Sequence, residues 1–190
     1  MQDNLAYRDP VREELIDGKV VAMSPRPSVN HNWISDNITY IFKNHLRGKN
    51  CVPFSDGVDL HLSKKDIFVP DMMVVCDRNK IKRRGVYGTP DLVVEVLSPS
   101  TAGRDRGYKK DLYEASGVPE YWIVDPAARS IEVYLLSDGR YFLSGVYYFH
   151  TAEELEDLTE EEKDELAAEF KCHLYDDLVI RLEDIFGDLF

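Results

Sequence analysis

The sequence predicts a mixed α/β fold, of the α+β kind, in which helices pack on one sheet. Segments with the pattern of β-strands outnumber helical segments, and the chain carries no internal repeat. Residues 91–97 (DLVVEVL) are apolar at five of seven positions, which is typical of a strand covered on both faces. A length of 190 residues with 44% hydrophobic content fits one domain, residues 1–190, with a sizeable core.

The first half of the chain is predicted to contain one helix and four strands. A turn signal precedes a short strand at residues 19–24, and Ser28 is placed to cap a helix that runs to about Leu46. The apolar residues on one face of that helix are Ile34, Ile38, Ile41 and Phe42. The strands that follow are residues 51–62, 67–76 and 91–97.

The second half begins with a predicted helix at residues 105–116, which ends at Gly117. Its inward side chains are expected to be Tyr108, Leu112 and Ala115. The later strands are residues 120–124, 131–136, 141–149 and 178–182.

The charge is concentrated in one segment. Residues 152–170 hold ten acids and one base, which is −9 of the net −12, so we expect an exposed acidic helical insertion there. The remainder of the chain is nearly balanced, with a net charge of −3. Two clusters of bases lie in it: Arg78, Lys80, Lys82, Arg83 and Arg84, and then Arg104, Arg106, Lys109 and Lys110. Such clusters either bind phosphate or are solvated loop and helix faces.

The sequence indicates a cytoplasmic protein. No apolar run is long enough to cross a bilayer, and the first residues carry acids where a signal peptide needs an apolar segment. Three cysteines, far apart and odd in number, predict neither a disulfide framework nor a zinc site, and the five histidines show no ligand spacing.

Two carboxylates stand where an apolar strand is predicted. Glu95 lies in the middle of residues 91–97, where it must be protonated, paired with a buried Arg or Lys, or bound to a cation. Asp91 shares its strand face, and Asp71 opens the neighbouring apolar run after Pro70. Oxygen ligands on neighbouring strands suit a hard divalent cation whose shell is completed by water and a phosphate.

Lys109 lies in the helix that follows Glu95, and the short connection between them allows that helix to fold back over the strand. An ammonium near two metal-bound carboxylates would orient a water and stabilise charge on a phosphate. The alternative is a lysine that faces solvent, a role for which Lys110 is the natural candidate.

Several segments carry a family resemblance. They are residues 14–18 (ELIDG), 23–25 (MSP), 69–75 (VPDMMVV), 89–101 (TPDLVVEVLSPST) and 117–126 (GVPEYWIVDP), together with His31, Lys109 and Tyr113. In this order they resemble the Uma family of restriction endonucleases, within the PD-(D/E)xK nuclease superfamily, over about residues 10–186.

The resemblance implies a restriction-endonuclease-like core, with a central mixed sheet flanked by helices. By position, Asp71 matches the acid of the PD element and Glu95 the acid of (D/E)xK. Leu97 stands where the superfamily has its strand lysine, and Lys109 matches the helix lysine that substitutes for it in this family. Glu14 and His31 match further polar positions, as additional ligands or residues that support them, and a helix histidine without a ligand role is the alternative for His31.

These observations lead to one hypothesis and two rivals. Asp71, Glu95 and the backbone carbonyl of Val96 would hold Mg²⁺ or Mn²⁺, and a homodimer would hydrolyse phosphodiester bonds of DNA. The basic residues expected to contact DNA phosphates are Arg83, Arg84, Arg104, Arg106 and Lys110. The rivals are a catalytically inactive module that binds nucleic acid or protein, and an acidic insertion that masks the basic site as a DNA mimic. The target, and the choice of DNA or RNA, stay open.

Overall fold

A computed structural model describes residues 13–22 and 27–190, which form helices around two six-stranded sheets. The strands of the central sheet, in spatial order, are β12 (Arg140–Tyr148), β11 (Ser130–Ser137), β10 (Glu120–Asp125), β9 (Leu92–Val96), β6 (Met72–Val75) and β3 (Val52–Ser55). Strands β9 and β10 are parallel and the other neighbours are antiparallel, so the sheet is mixed, as predicted.

The second sheet is built from short strands. In spatial order they are β2 (Lys19–Ala22), β1 (Glu13–Ile16), β5 (Ile67–Phe68), β4 (Leu60–His61), β8 (Gly85–Tyr87) and β7 (Ile81–Lys82). The prediction of one sheet was therefore wrong. The strand predicted at residues 51–62 divides between the two sheets at Gly57, whose φ of 94° interrupts the extended backbone. The predicted end of the strand at residues 19–24 lies outside the described residues, as do residues 23–25 of the family resemblance.

The helices are short apart from the first. They are α1 (Val29–His45), α2 (Ala102–Arg104), α3 (Lys110–Ala115), α4 (Ala152–Glu156), α5 (Glu160–Asp164) and α6 (Leu182–Phe186), and one π-helical turn (Asp105–Lys109) joins α2 to α3. The Ser28 Oγ accepts a hydrogen bond from the His31 backbone N–H at 3.2 Å, which caps α1 as predicted.

The central sheet is covered on both faces, in agreement with the apolar pattern of its strands. One face packs against α1, α6 and a small hairpin of β13 (Glu169–Lys171) and β14 (Val179–Arg181), with Trp122 and Phe42 in the core. The other face packs against α3 and the second sheet, with Tyr113 and Tyr121 in the core. The candidate catalytic residues lie on this second face.

The inward face of the segment 102–115 differs from the prediction. Tyr108 is 39% exposed, whereas Asp105, Lys109 and Tyr113 are buried. These three residues are spaced by four, so a polar face of the helical segment turns toward the sheet. The π-helical turn ends at Lys109 and carries both ionisable residues inward.

The expectation of no disulfide was wrong, because Cys51 and Cys76 are bonded. Antiparallel pairing of β3 with β6 places Val52 opposite Val75, and the next pair in that register is the two cysteines. Cys172 is buried and free.

The acidic segment forms two short helices, α4 and α5. Thr151 and Thr159 each begin a capping box with a glutamate three residues later, Glu154 and Glu162 respectively. No helix in the described ranges is long and apolar enough to cross a membrane.

Candidate active site

Asp71 and Glu95 lie on the same face of the central sheet. Antiparallel pairing of β6 with β9 places Met72 opposite Val94, and the next pair in that register is Asp71 and Glu95. Residues directly opposite in an antiparallel pair point to one face. The Asp71 Oδ2 also accepts a hydrogen bond from the Val96 backbone N–H at 2.7 Å, which fixes this carboxylate at the end of β9.

Glu95 is buried and makes two hydrogen bonds through one oxygen. Its Oε1 accepts from Lys109 Nζ at 3.0 Å and from the Tyr113 hydroxyl at 2.8 Å. Burial raises the pKa of Glu95 well above its usual range. The positive charge of Lys109 opposes this rise, while the nearby acids Asp105, Asp71 and Glu14 add to it.

Lys109 is the centre of the cluster. Its Nζ lies 3.0 Å from Glu95 Oε1, 3.0 Å from Glu14 Oε1 and 3.5 Å from Asp105 Oδ1, and the residue is only 4% exposed. Burial alone would lower the pKa of Lys109, but the charges of these three carboxylates raise it above its ordinary value. Lys109 is therefore held in its protonated form.

Glu14 joins the cluster from the second sheet. Its Oε2 lies 3.1 Å from Arg104 Nη1, and its Oε1 accepts from the Val69 backbone N–H at 3.4 Å. The carboxylate is therefore fixed between α2, the strand segment before Asp71, and Lys109. The structure thus brings Glu14, a candidate from the family resemblance, into contact with Lys109.

His31 contacts the exposed side of the cluster from the first turn of α1. Its Nε2 lies 3.4 Å from Asp71 Oδ1, and its buried Nδ1 has no hydrogen-bond partner in the described part of the chain. Burial alone would lower the pKa of His31, but the hydrogen bond and charge of Asp71 and the Val96 backbone raise it above its ordinary value.

Two residues beside β9, Asp91 and Leu97, are not members of the cluster. Asp91 directly precedes β9, about 13 Å along the chain from Glu95, where its Oδ2 accepts from the Cys76 backbone N–H at 2.7 Å. It therefore does not join the cluster, although the sequence placed it among the candidates. Leu97 packs into the apolar core on the cluster's face, and the ammonium that contacts Glu95 belongs to Lys109 of the helical segment.

The charges and donor atoms of the cluster fit a hard cation. Four carboxylates meet two bases there, and they belong to Glu14, Asp71, Glu95 and Asp105. Within residues 13–22 and 27–190, no three His, Cys, Asp or Glu side chains are placed to hold a metal ion together. Mg²⁺ needs fewer protein ligands than three, since it is bound through one or two carboxylates while waters complete its octahedron. Asp71 and Glu95 supply donors of that kind.

The basic residues expected to contact DNA divide into two groups. Arg83 and Arg84 are exposed in the turn between β7 and β8. The other three contact the protein itself. Arg104 pairs with Glu14, Arg106 pairs with Asp125 and Glu132, and the Lys110 Nζ lies 4.0 Å from the centre of the Tyr134 ring.

Sequence reasoning missed Asp105 as a member of the cluster. The signal was available, since Asp105, Lys109 and Tyr113 recur every four residues and so share one helix face. Tyr113 was part of the resemblance but was given no role, and its hydroxyl contacts Glu95.

The chain is similar to known proteins in sequence and in fold. The model of a family named Uma2 and described as "Putative restriction endonuclease" matches residues 2–169. Two proteins of Synechocystis sp. are similar to the chain. "Uncharacterized protein slr1290" is 33% identical over 141 residues, which are 72% of this chain and 74% of the relative. "Uncharacterized protein sll1609" is 26% identical over 127 residues, 65% and 71% of the two chains.

A solved structure shares the fold. It is the crystal structure of "a putative nuclease belonging to DUF820" from Anabaena variabilis, with a TM-score of 0.68 at 18% identity. The match covers 92% of this chain and 89% of that one, and it confirms the predicted fold class.

Proposed function

Because the chain belongs to the Uma2 family, whose description is "Putative restriction endonuclease", we propose that it is a metal-dependent endonuclease that hydrolyses phosphodiester bonds of DNA. The observation that carries the proposal is the 3.0 Å contact of Lys109 Nζ with Glu95 Oε1, on the sheet face that also bears Asp71. Two carboxylates and a lysine are thereby brought together although Leu97 replaces the strand lysine.

Asp71, Glu95 and the Val96 carbonyl are the groups that would hold Mg²⁺ or Mn²⁺. An ion bound there would polarise the phosphate and lower the pKa of a coordinated water. The protonated Lys109 would orient the attacking water and stabilise negative charge on the phosphate. Glu14 and Asp105 hold the Lys109 ammonium in place, and His31 orients the Asp71 carboxylate.

The exposed bases Arg83 and Arg84 are the strongest candidates for contacts with DNA phosphates. Phosphate contacts position the DNA without reading its sequence. Arg104 is partly exposed and pairs with Glu14 at the edge of the cluster, where it would also be available to a phosphate.

Nicking of supercoiled plasmid DNA in Mg²⁺, with EDTA as the blank, tests the proposal. Glu95→Gln removes a ligand charge and Lys109→Met removes the ammonium, and we expect each to slow nicking by about 100-fold or more. Glu161→Gln and Lys171→Met make the same changes at exposed positions and should nick at the unaltered rate. If Glu95→Gln nicks as fast as the unaltered chain, Glu95 has no catalytic role.

The inactive binding module remains the second candidate, because Lys109 already neutralises Glu95 without a metal. Calorimetric titration with Mg²⁺ separates the two. The endonuclease should bind the ion and lose that affinity in Asp71→Asn, whereas the inactive module should show no Asp71-dependent binding.

A further inference from the structure

The second sheet has one face turned away from the catalytic cluster. Glu14, Leu60 and Val86 point toward the central sheet, so the next residue along each strand points outward. The strand registers align five outward residues in one row across the sheet, from β2 to β8: Val20, Leu15, Ile67, His61 and Tyr87.

The row ends in an aromatic pair. The rings of His61 and Tyr87 are stacked, with centroids 4.1 Å apart and planes within 3° of parallel. His61 covers one face of the tyrosine ring, and Tyr87 is still 43% exposed. A large flat ring that is held in place and open to solvent is suited to stacking on a planar ligand.

Positive charge lies beside this pair. The turn between β7 and β8 presents Lys82, Arg83 and Arg84, all exposed, and Lys82 is paired with Gly85, which shares the outward strand face with Tyr87. The three basic residues and Asp59 line a cavity of about 340 Å³ at this end of the sheet, which the inward residue Val86 also lines. Asp59 also lies 4.0 Å from His61 Nε2. Three cations against this one acid leave the patch positive, although the chain as a whole is acidic.

From this juxtaposition we propose that the outer face of the second sheet binds unpaired nucleotides of single-stranded DNA. An exposed aromatic ring stacks on a base only when that base is unpaired, and adjacent cations neutralise the phosphates that accompany it. The inference rests on the proposed nuclease function and adds the structure of its substrate: DNA whose single-stranded nucleotides lie on the side of the second sheet opposite the catalytic cluster.

Fluorescence anisotropy with a labelled 12-nucleotide oligo(dT), in the Glu95→Gln chain with EDTA, tests this binding without cleavage. Tyr87→Leu should weaken oligo(dT) binding by about 5-fold to 150-fold, while a 12-base-pair duplex should bind within about twofold as before. Tyr87→Trp should restore the affinity. Tyr40→Leu, an exposed tyrosine on α1, is the matched control.

The charge contribution is measured separately by salt titration. The double variant Arg83→Gln/Arg84→Gln should reduce the slope of log affinity against log salt by about 1.4, the value for two phosphates of a single strand. Stacking of a base on Tyr87 should be unaffected in the double variant. Adding Tyr87→Leu to it should therefore still weaken oligo(dT) binding.

Three outcomes would overturn the inference: unchanged oligo(dT) affinity in Tyr87→Leu, equal loss of duplex and single-strand binding, or a tenfold preference for oligo(rU). Failure of the proposed function is distinguishable. If Glu95→Gln still nicks plasmid but Tyr87→Leu loses oligo(dT) binding, the catalytic assignment fails and the binding surface stands.

Discussion

Two glutamates are buried in adjacent strands of the central sheet, and their surroundings differ. Glu120 begins β10 on the face toward α1, and its carboxylate accepts from Trp122 Nε1 at 2.8 Å, the Leu174 backbone N–H at 2.9 Å and the His173 backbone N–H at 3.2 Å. Glu95 lies on the opposite face and shares its space with a lysine and other acids. Burial excludes water from both side chains equally.

The difference teaches how to tell a structural carboxylate from a functional one. The hydrogen bonds at Glu120 come from neutral groups, and they tie the segment after β13 to the sheet, which explains the residue without any ligand. Glu95 shares one buried lysine with Glu14 and Asp105, so its ionised form is costly in the folded protein, a cost that a bound cation or a reaction would explain.

The largest effect expected on stability is at Lys109. Lys109→Met leaves Glu14, Glu95 and Asp105 buried without their shared cation, so the free energy of unfolding should fall by about 3–5 kcal/mol. Adding Glu95→Gln removes one of those charges and should recover about 1–3 kcal/mol of that loss. Urea denaturation of the four chains of this double-mutant cycle measures both values.

Lys171→Met, on the exposed edge of β13, is the control for the loss of a lysine. A loss under about 1 kcal/mol in Lys109→Met would mean that the carboxylates there are protonated in the folded protein. A buried charge would then no longer distinguish the surroundings of Glu95 from those of Glu120.

Glu120→Ala should lower the free energy of unfolding by about 2–4 kcal/mol, because it leaves several buried donors unsatisfied. Glu120→Gln should cost less, since its amide oxygen still accepts. At a temperature where Glu120→Ala stays folded, it should nick plasmid at the rate of the unaltered chain, because Glu120 is on the sheet face opposite to the catalytic cluster. A nicking rate that falls more than tenfold in folded Glu120→Ala would contradict the structural role.

Much of the central sheet could be predicted from the sequence because its strands carry their own signals. The run around Glu95 is apolar and bounded by turns, and α1 begins with a cap and repeats its apolar residues at helical spacing. Asp71 and Glu95 could be predicted because they are charged side chains in or beside such runs. Lys109 could be predicted from its place in the helix after Glu95 and from the resemblance.

The rest depends on pairings that no local pattern encodes. The strands β4, β5 and β7 have two residues each, too few to show an alternation, so the second sheet was not foreseen. The Cys51–Cys76 bond needs the register of β3 on β6, which is set by the whole sheet. The π-helical turn at Asp105–Lys109 has no signal in the apolar spacing, which predicted Tyr108, Leu112 and Ala115 as the inward residues.

The smallest effect is expected at Arg106, three residues before Lys109 in the same π-helical turn. Its Nη2 lies 2.8 Å from Glu132 and 3.3 Å from Asp125, so it too faces carboxylates, but its side chain is 42% exposed. Solvent weakens such pairs, and Arg106→Gln should change the free energy of unfolding by less than about 1 kcal/mol in urea denaturation. A loss comparable with that of Lys109→Met would show that the number of partners, and not burial, sets the cost of removing a cation. Weaker plasmid binding by a fully stable Arg106→Gln would instead assign this arginine to DNA contact, as the sequence alone suggested.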